Sequence, residues 1–232
     1  MLRGEAWPEP VDLESLIAQS LNHLTGDARL FWCLASWLSV HHELVNTRRL
    51  GKILDKLGTA DSALAGVLLE IARIESPEAT SLVHLQGHCR RLDDEQVLFK
   101  TIEKLAGYER VFEDQWLEEF RRWGFLHYQW TDKRDAIRPV TWILRHVPEL
   151  RMRAILGAGQ EAEILEMALR QPVTVTQISR VLEYTYAASH SAAGRLLRRG
   201  LMKREEEGKH VFLRPHEVVQ NWFESFPKAN PA

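Results

Sequence analysis

Apolar positions recur at helical spacing from close to the N-terminus. Leu13, Leu16, Ile17, Leu21 and Leu24 fall three and four apart, which predicts a helix over residues 11–24 with one buried face. Asp12 stands near its start, where the helix dipole favours an acid, and Thr25-Gly26-Asp27 breaks it. The stretch Ala28–His41 is apolar on nearly every side, so it reads as a buried helix central to the N-terminal part or to a dimer interface. It is too short to span a bilayer. Asn46 or Thr47 caps a third helix ending near Leu57, Asp61 caps a fourth over Ser62–Ile74, and Ser76-Pro77 opens a fifth. Two more helices are expected over Asp94–Leu105 and Phe112–Trp123.

The period then changes. Phe125, His127 and Gln129 alternate with Leu126, Tyr128 and Trp130, as on a half-buried strand. Thr141–Leu156 mixes Arg145, Arg151 and Arg153 with apolar residues, and Pro148 divides it into two short helices. Gly157-Ala158-Gly159 is the best hinge, and Gln160–Arg170 a helix with Ile164, Leu165, Ala168 and Leu169 inward. Thr174 and Thr176 are candidate N-caps of the next helix, whose stripe is Ile178, Val181 and Leu182. A turn at Glu183-Tyr184 leads to Thr185, the N-cap of a helix over Tyr186–Arg199. Its inward face is Ser189, Ala193, Leu196 and Leu197, small enough for a close helix crossing. Gly200 stops it in a left-handed conformation. Leu201–Arg204 and His210–Leu213 read as strands around a Glu205–Lys209 turn with Gly208 at its tip, and Pro215 closes the ribbon. A last helix, Glu217–Phe226, carries Val218, Val219, Trp222, Phe223 and Phe226 on one side, to dock back or to pair with a second copy.

The order helix, turn, longer helix, charged hairpin over Gln171–Pro215 resembles the winged helix-turn-helix regulators of bacteria, of the multiple-antibiotic-resistance and arsenic-repressor type. The residues that carry it are a helix ending LLRRGLM and the hairpin after it, and it covers about a fifth of the chain. It implies duplex DNA as partner and a reading helix in the major groove. Tyr186, His190, Ser191 and Arg195 would then meet base edges, and Thr185, Arg198, Arg199, Lys203 and Arg204 phosphates. Tyr184–Arg204 holds five Lys or Arg and no acid, the charge such a surface needs. One departure stands out: Glu205, Glu206 and Glu207 lie on the wing, where such regulators often have basic residues.

Phe120–Pro139 (FRRWGFLHYQWTDKRDAIRP) echoes Leu197–Pro215 (LRRGLMKREEEGKHVFLRP), each with paired arginines, a glycine, a strand, a charged turn and a final Arg-Pro. A repeat suggests two winged-helix units in tandem, each with a small hairpin. The helix before the first copy carries Glu113, Asp114, Glu118 and Glu119, which makes it a poor groove reader and a structural or partner-binding element. The expected fold is therefore mainly α: a helical domain over 1–110, a degenerate winged-helix unit and basic connector over 111–157, and a C-terminal winged helix-turn-helix over 158–232. Arg151 and Arg153 either add phosphate contacts to that domain or form a solvated basic face.

Bulk properties narrow the picture. The chain has 232 residues, 45% hydrophobic and 27% charged, at a net charge of −2, ordinary for a globular protein. That charge does not itself argue for nucleic acid; only the clustering of basic residues does. Two cysteines make no disulfide framework, which points to a reducing cytoplasm. MLRGEAWPEP holds no signal-length apolar run, and no stretch approaches ~20 apolar residues. Seven of eight tryptophans precede residue 143, suggesting an aromatic N-terminal core, or an effector pocket lined by Trp32, Trp37 and Trp116.

Catalytic signals are weak. There is no phosphate-cradling glycine loop and no Gly-x-Ser-x-Gly frame, so no enzyme is expected. His84 and His88 stand four apart with Cys89 adjacent, a spacing zinc can use on a helix, but no third ligand is fixed; they are weak metal candidates beside the better reading of ordinary histidines. His41-His42-Glu43 is weaker still. No cofactor is expected. The sequence reads as a cytoplasmic, homodimeric transcriptional regulator of a near-palindromic site, with a small-molecule effector or protein partner. The alternative is a protein-interaction, antitoxin-type module that uses the winged fold as a docking surface, which the acidic wing favours.

Overall fold

The computed structural model describes residues 12–99 and 115–225. It is mainly helical, with a small antiparallel sheet near the C-terminus, and divides into two compact units, built on Val11–Pro139 and on Val140–Ala232.

The first unit begins with α1 (Leu13–Leu24), capped by Asp12, whose carboxylate accepts from the Ser15 amide. Leu13, Ile17, Leu21 and Leu24 are buried, but Leu16 is 46% exposed. In its place Glu14 is fully buried and accepts from the Asn46 amide at 2.8 Å, tying α1 to the start of α3 (Thr47–Leu54). Between them runs α2 (Ala28–His41). Its apolar character is not matched by burial on all sides, since Leu30 and Val40 face solvent. The central helix is instead α4 (Thr59–Glu75), buried continuously from Ser62 to Ala72 and packed against α1, α2 and α5 (Thr80–Gln86). Small residues explain the difference: Ala63, Ala65, Gly66 and Ala72 let neighbours close in from every side. Gly58 is the N-cap of α4, and Asp61 falls in its first turn. The fifth helix starts three residues after Pro77 rather than at it.

Residues 94–99 do not begin a helix. Gln96–Val97 (β1) pairs in parallel with Phe125–Leu126 (β2), just after the short α6 (Glu118–Arg121). The remainder of the two helices expected there, at 100–105 and 112–114, lies outside the described residues. The hairpin expected after Gly124 is absent among the described residues. Leu126 is followed by irregular chain that α2 holds: Ser36 Oγ accepts from the Lys133 amide at 3.0 Å, and His41 Nε2 bonds the Arg138 carbonyl at 2.8 Å. Side-chain hydrogen bonds to α2 thus take up the backbone that a second strand would have needed, and the echo of Leu197–Pro215 is not one of structure.

The second unit opens with α7 (Val140–His146) and α8 (Pro148–Leu156), with Pro148 in the first turn as its fixed φ favours. Gly157, at φ +79°, joins α8 to α9 (Gln160–Arg170). Arg151 and Arg153 are neither phosphate-ready nor solvated. Arg151 is 3% exposed; it donates to the carbonyls of Leu144 and Arg145 and lies over the Phe223 ring. Arg153, 5% exposed, pairs with buried Glu163, which accepts from the Tyr184 hydroxyl at 2.8 Å. These burials bind α7 and α8 into this unit, so the division falls after Pro139, not near residue 157.

Then come α10 (Val175–Val181), α11 (Tyr186–Arg198), β3 (Met202–Glu207), β4 (His210–Pro215) and α12 (Glu217–Glu224). Ile164, Leu165, Ile178, Ala192, Leu196 and Leu213 centre the core. Val173 and Leu213 exchange both backbone hydrogen bonds, at 3.1 and 2.7 Å, which pins β4 beside the start of α10. Val181 is 60% exposed, because α10 ends at it and the core-facing role passes to Leu182. The turn comes where expected, with Glu183 left-handed at φ +54° and Gly200 at +69° after α11. On α12, Val219 and Phe223 pack inward, while Val218 is 70% exposed; Phe226 lies outside the described residues.

Candidate nucleic-acid interface

In the second unit the outer side of α11 and the ribbon beside it border a groove. Helix geometry assigns the faces of α11. Ser189, Ala192, Ala193 and Leu196 are buried, so Ala187, Ser191, Gly194 and Arg198 point directly away, at about 100° per residue. Ala193 and Leu196 turn inward as the sequence predicts; Leu197 is instead half-buried at the edge, its place in the core taken by Ala192. Thr185 caps the helix by accepting from the Ala188 amide at 3.2 Å; this fixed role leaves its hydroxyl at the first turn, where a phosphate would approach.

Tyr186 and His190 form one flank. Their rings stack at 6.1 Å and 26°, and Tyr186 is 57% exposed. Beyond them lies an open groove of about 720 Å³, between α11, the start of α10 and the ribbon. Thr174, Thr176, Gln177, Tyr186, His190, Arg204, Lys209 and His210 supply its polar lining, and no carboxylate lines it. Thr174 and Gln177 form a reciprocal capping box, which sets the start of α10 at the rim.

The three wing acids are sorted by the pleat. Alternation and register put Glu205 and Glu207 on the same side as Arg214, which ion-pairs with both, while Arg204 faces the other way, opposite Leu213. Glu206 shares the side of Arg204 but stands nearer the tip, opposite Val211.

The other flank of α11 carries Arg195 and Arg199, one turn apart. Both are engaged by Glu161 in the first turn of α9: Arg195 Nε with one carboxylate oxygen, Arg199 with the other at 2.5 Å. Arg195 also donates to Ser191 Oγ at 3.1 Å. Lys203 reaches Glu217 at 3.0 Å, which holds the Glu217 carboxyl below the usual carboxylate range. Arg198 and Arg204 are exposed.

The structure thus brings all nine sequence-named nucleic-acid residues onto one helix and its adjoining ribbon. Lys209, His210 and Gln177 join the lining, and Glu161 the opposite flank. Lys209 was legible as the end of a charged turn and Gln177 as the fourth position of a T-x-x-Q box. Glu161 carried no signal, since its link to Arg195 spans 34 residues and exists only because α9 crosses α11.

The remaining candidates disperse. Trp32 is 4% exposed, its ring spent on an aromatic core with Phe31, Phe120, His127 and Trp130. Trp37 lies five residues on, hence on another helical face, against His41 at 5.2 Å; Trp116 is half-buried ahead of α6. α5 stops at Gln86, so His84 and His88 lose the common helical face that zinc would require. His88 bonds Asp55 at 2.9 Å, and burial pushes the Cys89 thiol up to about 12, far from a metal-ready thiolate. Among the described residues, no three His, Cys, Asp or Glu group as a metal would need, and no helix is long and apolar enough to cross a membrane. No protein-family model, curated protein or solved structure matches this chain.

Proposed function

We propose that this protein is a cytoplasmic DNA-binding transcriptional regulator whose second unit is a winged helix with α11 as the reading helix and β3–β4 as the wing. The observation that carries it is the outward side of α11. Its centre is small at Ala187, Ser191 and Gly194, so the backbone can approach base edges closely. Its flanks supply Tyr186 with His190 and Arg195, and the adjoining groove has no carboxylate in its lining. Ser191 and His190 suit base-edge hydrogen bonds and Arg195 the acceptors of a guanine. Thr185, Arg198, Arg199 and Arg204 lie at the margins, as phosphate contacts would, while Lys203 stands on the ribbon's other face with Arg214 and would meet only a phosphate that passes the ribbon's edge. A homodimer would set two such helices about one duplex turn, ~34 Å, apart and read a near-palindrome.

A second reading has its own support. Glu161 and Glu217 engage three of the five basic residues, Arg195, Arg199 and Lys203, which lowers the positive field and suits a protein-docking surface. Titration of a labelled random duplex with the full chain at rising salt separates the two. A regulator gives measurable binding that falls linearly in log affinity against log salt, at about 0.9 per phosphate contact. A docking module gives none even at low salt.

A further inference from the structure

We propose that Glu161 governs how selectively α11 reads a duplex, by withholding two arginines from indiscriminate phosphate contact; this rests on the reading of α11 as a DNA-reading helix. The Glu161 side chain is 15% exposed, whereas Arg195 and Arg199 are 41% and 56% exposed. The carboxylate is therefore the fixed partner, and the two guanidiniums are flexible ends brought to it. Each oxygen takes one arginine, so a single acid neutralises half of each charge on that flank while holding both side chains against α9. Ion pairs this open are weak enough for a phosphate or a guanine edge to displace one arginine at a time.

The hold also sets direction. With Nε on Glu161, Arg195 turns another guanidinium nitrogen to Ser191 Oγ. Ser191 accepts that bond, which leaves its own hydroxyl hydrogen for an acceptor outside the helix. The chain Glu161–Arg195–Ser191 thus presents one donor at a defined place, matched to N7 or O6 of guanine. Without Glu161, Arg195 and Arg199 join Arg198 as a mobile cationic cluster that grips any backbone.

The test compares wild type, E161A and E161Q as full chains on two duplexes. One is random in sequence, and the other is enriched from a random pool by the wild type. Salt runs from about 50 to 200 mM. The one net charge that the loss of Glu161 frees steepens the log–log slope on random duplex by about 0.9, so the excess affinity of E161A at the low-salt end shrinks roughly three- to fourfold by the high-salt end. Its preference for the enriched duplex falls. E161Q shows the same steeper slope, since the charge is gone, but keeps more of the preference, because an amide oxygen still accepts from a guanidinium. If the variants bind with wild-type slope and preference, or merely melt lower and bind both duplexes weakly, Glu161 is a structural residue and the proposal is wrong. If no protein, wild type included, binds either duplex at low salt, the reading of α11 itself fails and takes this inference with it.

Discussion

Gly66 offers a sharp test of the first unit. It sits in the buried middle of α4, and Trp123 lies directly on it: a Cβ there would meet the ring at 2.2, 2.4 and 2.5 Å. Ordinary carbon contacts are ~3.5–4.0 Å, so the ring would have to withdraw by more than ~1 Å. It has little freedom to do so. Trp123 is 9% exposed, its amide donates to the Phe120 carbonyl at 3.0 Å, and its carbonyl accepts from the Leu92 amide at 3.2 Å. Gly66→Ala gains about 1 kcal/mol of helix propensity but incurs about 1–3 kcal/mol of overpacking against a rigid ring. The expected outcome is a net loss of up to about 2 kcal/mol, read as a lower denaturation midpoint by far-ultraviolet circular dichroism. Adding Trp123→Leu should recover part of that loss, making the pair non-additive. Gly51 is the contrast: a Cβ there meets only the imidazole of His88, whose side chain is 42% exposed and can turn aside, so Gly51→Ala should be neutral or mildly stabilising. A Gly66→Ala protein stabilised by about 1 kcal/mol would refute the packing described for α4.

Three further outcomes follow from buried polar groups and from α11. Glu163→Ala removes a buried carboxylate that pairs with Arg153 and accepts from the Tyr184 hydroxyl, so it should cost about 3–5 kcal/mol, whereas Glu163→Gln should cost less; chemical denaturation measures both. His127 is 4% exposed among Trp32, Phe99 and Phe120, and burial lowers its pKa from 6.5 to about 4. Below pH 6.5 the unfolded chain takes up this proton before the folded one does. Stability from this group is therefore complete above that pH and falls as pH drops to about 4, by roughly 3 kcal/mol in all. His41, also lowered by burial, adds in the same direction, and His127→Phe should flatten the loss measured by denaturation across that window. On DNA, Arg195→Ala should relax base preference in a selected pool, while Arg199→Ala should weaken all sequences alike.

The second unit was legible largely because its punctuation is local. Thr174, Thr185, Glu183-Tyr184, Gly200 and Gly208 each mark a boundary by their own conformational chemistry, and the structure keeps each mark. The first unit was harder. Apolar content made α2 look central, yet centrality went to α4, whose small residues matter only through what packs on them. The echo between Phe120–Pro139 and Leu197–Pro215 was compositional. Nothing in Thr131–Arg138 announces that Ser36 and His41 will hold its backbone, because those bonds join residues 97 positions apart. Arg151 and Arg153 misled for the same reason. An arginine reads as surface unless its partners, here the carbonyls of Leu144 and Arg145 and the carboxylate of Glu163, are known.

The central claim is that the outward side of α11 meets duplex DNA. A photo-crosslinking residue at Ser191 tests it most directly, with one at exposed Val83 on α5 as control. With random duplex at low salt, the Ser191 probe should give a protein–DNA adduct that salt abolishes, and the Val83 probe none. Equal adducts from both sites, or none from Ser191 under conditions where the protein demonstrably holds the duplex, would contradict the account.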